Sequence, residues 1–188
     1  MGFFTKLKKG IINTFGNVRL YKGGIVLFGT SNYYINGEHQ RAILNVIEPG
    51  DIIFRRYNNY VGSMMVPGYW SHVGLYIGDN HNIIHAAGGG VTSDDILSFM
   101  RTDSLCLMRC KSKEHIDLAL NYARRKLEEQ TPYDYDFRAK NDALYCSELL
   151  WEGFDRPVCE RKIEKYIIPD DLFNIEMFDN LVSIKSKK

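Results

Sequence analysis

Three side chains in this sequence have the types needed for nucleophilic acyl transfer: Cys146 in ALYCSELL, His72 in SHVGLYIG and His85 in NIIHAA. A thiol attacks a carbonyl only as thiolate, so it needs a nearby cation or a helix N-terminus that favours the anion. Cys146 stands in the first turn of an expected helix running from about Leu144 to Gly153. There, unpaired backbone N–H groups and the helix dipole favour negative charge, and the same N–H groups suit the oxyanion of a tetrahedral intermediate. His72 opens an expected strand over 71–78, and alternation puts Gly74 on its face, leaving space beside the imidazole. His85 lies on the next strand, 82–87. With a two-residue turn at Gly78-Asp79, His72 and His85 stand directly opposite, within hydrogen-bond reach. A wider turn through Asn80 shifts that register and can carry His85 to the other face. Singly, each residue has an ordinary reading as a buried thiol or a half-buried strand histidine. Their conjunction is what points to a site.

These residues need a scaffold, and 188 residues suffice for one domain with a proper core. From Asp51 the pattern reads as strands: DIIFRRY, then 71–78 and 82–87, then SLCLMRC at 104–110. Asp94-Asp95 opens a short helix through Met100. Residues 113–129 carry Ile116, Ala119, Leu120, Ala123 and Leu127 on one face, with Ser112 as N-cap. Residues 23–30 read as a short strand, 38–47 as a helix stopped by Pro49-Gly50, 169–173 as a short helix and 181–185 as a last strand. The class is α+β, a central antiparallel sheet with flanking helices. The N-terminal segment, residues 1–20, places Phe3, Phe4, Leu7, Ile11, Ile12 and Phe15 at helical spacing opposite Lys6, Lys8 and Lys9. It reads as an amphipathic helix and, through residues 3–15, as a candidate for peripheral membrane contact. Residues 21–188 form the single catalytic domain.

The net charge of +1, with no basic stripe, argues against nucleic acid as a partner. No signal peptide and no run of about 20 apolar residues is present, so the expected location is cytoplasmic. Four cysteines are too few for a disulfide scaffold and read as reduced thiols. Cys106 and Cys110 share a strand face without a second pair nearby, which disfavours zinc. His81 and His85, four apart on a strand rather than a helix, make a poor metal grip. Cys159 has no evident partner, and His39, His81 and His115 read as exposed. No metal and no cofactor are expected.

SHVGLYIG followed by IIHA resembles the histidine hairpin of the NlpC/P60 superfamily of papain-like cysteine hydrolases. GDIIF at 50–54 precedes it, and Pro132, Tyr133, Asp134 and Phe137 precede YCSEL at 145–149. The cysteine motif follows the histidines, an order that resembles the circularly permuted branch, the YiiX-like proteins and their lecithin:retinol acyltransferase-like relatives. The resemblance covers roughly residues 48–175. It implies a permuted papain-like fold, Cys146 as nucleophile, His72 as base and His85 as the group orienting the base. Many YiiX-like proteins carry a glutamate where this chain has His85. It also implies a Cys146 thiolate paired with protonated His72 that forms a thioester. Tyr133 resembles a tyrosine that lines the site and assists the oxyanion. Tyr145, Ser147, Met64, Met65 and Trp70 complete the candidate substrate-binding set.

The expected function is a cysteine peptidase or amidase cleaving an amide in a peptide or cell-wall-type substrate. The apolar loop before His72, with Met64 and Met65, supports an alternative, a lipid acyltransferase or lipid hydrolase. A second alternative is an inactive binding module of the same fold.

Overall fold

The computed structural model describes residues 10, 19–21, 25–27, 33–137, 141–157 and 166–186. Gly10 is helical, and the rest of the amphipathic segment expected up to residue 18 lies outside the described residues, as does Cys159. Arg19 and Leu20 are not helical: β1 (Arg19–Tyr21) pairs antiparallel with β2 (Ile25–Leu27). The chain then forms α1 (Gly37–Leu44), β3 (Ile52–Arg56), α2 (Val61–Met64), β4 (His72–Tyr76), β5 (Asn82–Ala87) and β6 (Gly90–Asp95). It continues through α3 (Ile96–Phe99), β7 (Ser104–Cys110), α4 (Lys113–Glu128), α5 (Cys146–Gly153), α6 (Pro169–Phe173) and β8 (Phe178–Ile184).

Six strands make one antiparallel sheet in the order β6-β5-β4-β3-β7-β8. Alternation splits its side chains between two cores. Ile52, Phe54, Val73, Leu75, Ile84 and Ala86 meet Ala119 and Ala123 of α4 and Leu149 and Leu150 of α5. Ile53, Ile83, Leu105 and Leu107 meet Ile43 of α1 and Ile96 and Phe99 of α3. A sheet covered on both faces explains the near-continuous apolar run in SLCLMRC, where Cys106 and Cys110 are buried free thiols.

Two local devices fix the strand that starts the sheet. Gly50 has φ +95°, and a Cβ there would lie 2.3 Å from Ile116 Cγ2, so only glycine fits. Asp51, fully buried, accepts from Arg109 Nε and Nη2, each at 2.8 Å, and from Glu48 N–H. A buried carboxylate is tolerable only with this degree of pairing. α4 starts where Ser112 Oγ accepts from His115 N–H. His39 and His115 are half-buried rather than exposed: each bonds locally at its helix start, to Asn36 N–H and Ser112 Oγ respectively. No helix among the described residues is long and apolar enough to cross a membrane.

Candidate active site

The β4–β5 hairpin does not use a two-residue turn. Asp79–His81 form a 3-10 turn, with Asn80 at φ 51° and His81 at φ 59°, and pairing runs Tyr76 to Ile83 and Leu75 to Ile84. That register sets Gly74, not His72, across from His85. The slip is two residues, so the face is kept and the imidazoles meet diagonally. His72 Nε2 lies 3.0 Å from His85 Nδ1, with the rings nearly perpendicular. Phe99 packs edgewise against His85, with centroids 5.2 Å apart, and lies 5.8 Å from His72. Glycine is required at 74 because a Cβ would come within 2.6 Å of Ile83 Cγ2 and 2.9 Å of Phe99 Cζ. The space beside the imidazoles is therefore filled by packing and is not an open channel.

Beyond Leu75 the strands β4 and β5 part, although β5 continues to pair with β6 as far as Ala87–Gly90. α5 packs across both. Cys146, its first residue, is 5% exposed, and its sulfur takes the backbone N–H groups of Val73, the residue after His72, and of Ser147. Cys146 thus sits against the backbone of β4 one residue past His72, and His72 in turn meets His85.

Two partners were not anticipated from the sequence. His85 Nε2 is 3.0 Å from Asp94 Oδ2, so the imidazole pair ends on a carboxylate. Asp94 belongs to strand β6 rather than to a helix start, and Asp95 is the N-cap of α3. Once Gly90–Asp95 is recognised as the return limb of a hairpin, alternation sets Thr92 and Asp94 on the face of His85. The second is Arg55, which pairs in register with His72 from β3. A charge at a strand end normally reads as solvated, so only this register reveals it.

The electrostatics favour neutral groups at rest. Burial pushes the Cys146 thiol up, against the pull of the Val73 and Ser147 N–H groups and of Arg55. Burial also holds His72 well below the ordinary imidazole value of 6.5, and Arg55 and His85 add to this. His85 is lowered by burial, which outweighs its bond to Asp94. Asp94 is held below the ordinary carboxylate value by its bond to His85 and is ionised. Burial thus works against the expected resting thiolate–imidazolium pair, favouring the thiol at Cys146 and the neutral imidazole at His72. An ionised Asp94 fixes the tautomers in series: His85 donates from Nε2, accepts at Nδ1 from His72 Nε2–H, and leaves His72 Nδ1 as a lone pair.

The remaining candidates separate. Tyr133, held by a bridge to Leu144, lies near enough to Cys146 that a thiolate would oppose its ionisation; burial already pushes that phenol well above 10. The phenol is therefore held neutral. The Tyr145 hydroxyl accepts from Ile167 N–H, and the Ser147 hydroxyl donates to Ile167 carbonyl, so both anchor α5. Trp70 is 1% exposed among Phe54, Tyr69 and Phe173, and its backbone N–H donates to Asp170; it is a core residue. Met64 and Met65 are exposed, at 59% and 49%. Among the described residues, no group of three or more His, Cys, Asp or Glu side chains is arranged to hold a metal ion.

Residues 46–181 match the family described as permuted papain-like amidase enzyme, YaeF/YiiX, C92 family. No curated protein matches the chain significantly. Among solved structures, the chain is similar to the metalloprotein YiiX from Escherichia coli O157:H7, with a TM-score of 0.57 at 18% identity. That match covers 73% of this chain and 98% of YiiX, and at such identity it speaks for the fold alone.

Proposed function

The chain belongs to the permuted papain-like amidase family, and from that premise we propose that it is a thiol-dependent amidase with Cys146 as nucleophile and His72 as general base. His85 and Asp94 are positioning residues. The observation that carries this reading is the series from Asp94 through His85 to His72, beside a sulfur seated against the N–H of Val73.

Substrate binding excludes water and brings a carbonyl carbon to the sulfur. As Cys146 attacks, its proton passes to His72 Nδ1, and the forming imidazolium is held through His85 by the Asp94 carboxylate. The oxyanion is met by the Cys146 N–H, unpaired in the first turn of α5, and by the Tyr133 hydroxyl. His72 then protonates the leaving amine, giving a thioester, and deprotonates the water that hydrolyses it. Resting neutrality of the thiol and the imidazole suits this sequence because neither Cys146 nor His72 carries a buried charge until substrate arrives.

Cys146→Ala is expected to abolish amide hydrolysis with an unchanged circular dichroism spectrum, and His72→Ala to do so as well. Turnover retained in Cys146→Ala rules out covalent catalysis there, and a wild type inert toward all amides leaves a binding module. A second reading, with acyl lipids as substrates, is favoured by exposed Met64 and Met65. Ser63 Oγ ties their segment to Ser71 Oγ at 3.2 Å, directly before His72. Hydrolysis of acyl-chain amides but not of peptides would select it.

A further inference from the structure

Arg55 is a cation in the middle of this site that forms no ion pair among the described residues; Asp94 acts on it only at longer range. It projects from β3 on the face of His72, and its register partner there is His72 itself. Nη1 donates to Phe99 carbonyl at 3.2 Å, and the guanidinium lies 4.0 Å over the Phe99 ring and 5.2 Å from the Tyr57 ring centroid. Nε is buried and has no hydrogen-bond partner, and among the described residues no carboxylate forms an ion pair with it. A guanidinium offers five donors in a planar fork and stays protonated in proteins. Among the described residues only one of those donors has a hydrogen-bond partner.

The groups around it are His72 and Cys146 from the catalytic set, Asp94 from β6, and Tyr33 and Tyr57. Its charge is felt by the sulfur and by both neighbouring imidazoles. In the free chain this opposes protonation of His72, the step on which attack depends. A bound carboxylate would use the idle donors and cancel that opposition.

We propose that Arg55 is the anion-recognising residue of the site and holds a carboxylate of the substrate beside Cys146. The substrate class is then an amide bearing a carboxylate close to the scissile bond. This rests on Cys146 being the nucleophile. Such a substrate completes its own site: its carboxylate pairs Arg55 and leaves His72 free to take the thiol proton. A neutral analogue would lack both effects. Arg→Lys is not conservative at such a position, since a single ammonium cannot present the fork.

Two alkylating probes of nearly equal size test this, iodoacetate as the anion and iodoacetamide as the neutral control. The full-length chain is treated with each, and modification of Cys146 is read by peptide mass spectrometry, which separates it from Cys106, Cys110 and Cys159. The iodoacetate-to-iodoacetamide rate ratio at Cys146 is expected to fall about tenfold or more in Arg55→Gln, as for loss of a charged hydrogen bond. Arg55→Lys should fall between, and melting curves confirm folding of both variants. An unchanged ratio in folded Arg55→Gln and Arg55→Lys overturns the proposal while leaving the nucleophile intact. Failure of Cys146 to react with either probe overturns both readings. If Arg55→Gln does not fold, protection decides: propionate at constant ionic strength should slow iodoacetamide labelling of wild-type Cys146, and no protection overturns the proposal.

Discussion

Replacing Asp94 by Asn tests the relay at its far end while keeping the sulfur and both imidazoles in place. The bond it alters spans 3.0 Å to His85 Nε2. A hydrogen bond to a charged group contributes roughly 1.5–3 kcal/mol when shielded. The Asp94 side chain is 45% exposed, which reduces the expected loss to roughly 1 kcal/mol. If Asn presents its oxygen, the tautomers survive and acylation slows about fivefold. If it presents its NH2, His85 must accept at Nε2 and donate from Nδ1. His72 then carries its proton on Nδ1 and has no lone pair for the thiol, and the loss approaches the ~10⁴-fold seen when a triad tautomer is inverted. Fivefold is therefore the minimum. The assay is the second-order rate of acylation of Cys146 by a p-nitrophenyl ester, with a melting curve as the folding control. A rate within twofold of wild type, with the same pH profile, refutes a functional relay.

Three further outcomes follow from the same geometry. His72 and His85 have folded values below 6.5, so between that value and their own the unfolded chain binds more protons and stability rises with pH. Acidification from pH 7 to 5 should therefore lower the urea midpoint of a Glu148→Gln background, where that carboxyl no longer titrates, and equal midpoints there contradict the assignment. Glu148 behaves oppositely. Burial, with Asp134 nearby, lifts it from 4.5 to about 7, so its contribution is present below 4.5 and lost as pH rises through about 7. Glu148→Gln should raise Tm at pH 8 more than at pH 5, and a uniform shift would contradict it. Gly74→Ala forces a methyl to within 2.6 Å of Ile83 and 2.9 Å of Phe99; it should cost about 1–3 kcal/mol in thermal or urea unfolding and slow acylation by displacing Phe99 from the imidazoles.

Elements with one strong period were legible in the sequence. The 3.6-residue stripe from Ile116 to Leu127 with its Ser112 cap appears as α4, Lys113–Glu128, and SLCLMRC is a strand end to end. The last strand begins at Phe178 rather than 181, because its exposed residues Asp179 and Asn180 hide the start. The hairpin register was not legible, since it depends on left-handed conformations at Asn80 and His81 that no apolar pattern reports. The shared face of His72 and His85 survived only because the slip was even. β6 escaped notice because GVTSDD is glycine-led and polar, and Asp94 was hidden with it. Trp70 suggested a substrate surface by its neighbours in an apolar loop, yet Asp170 holds the N–H groups of Tyr69 and Trp70 and turns the indole into the core.

The most direct measurement is the intact mass of the chain after acid quench during turnover of a carboxylate-bearing amide or activated ester. A mass increase equal to the acyl group, mapped to the peptide containing Cys146 and absent from Cys146→Ala, is the predicted result. Turnover by the wild type with no adduct at Cys146 at any quench time, and undiminished turnover by Cys146→Ala, would contradict it.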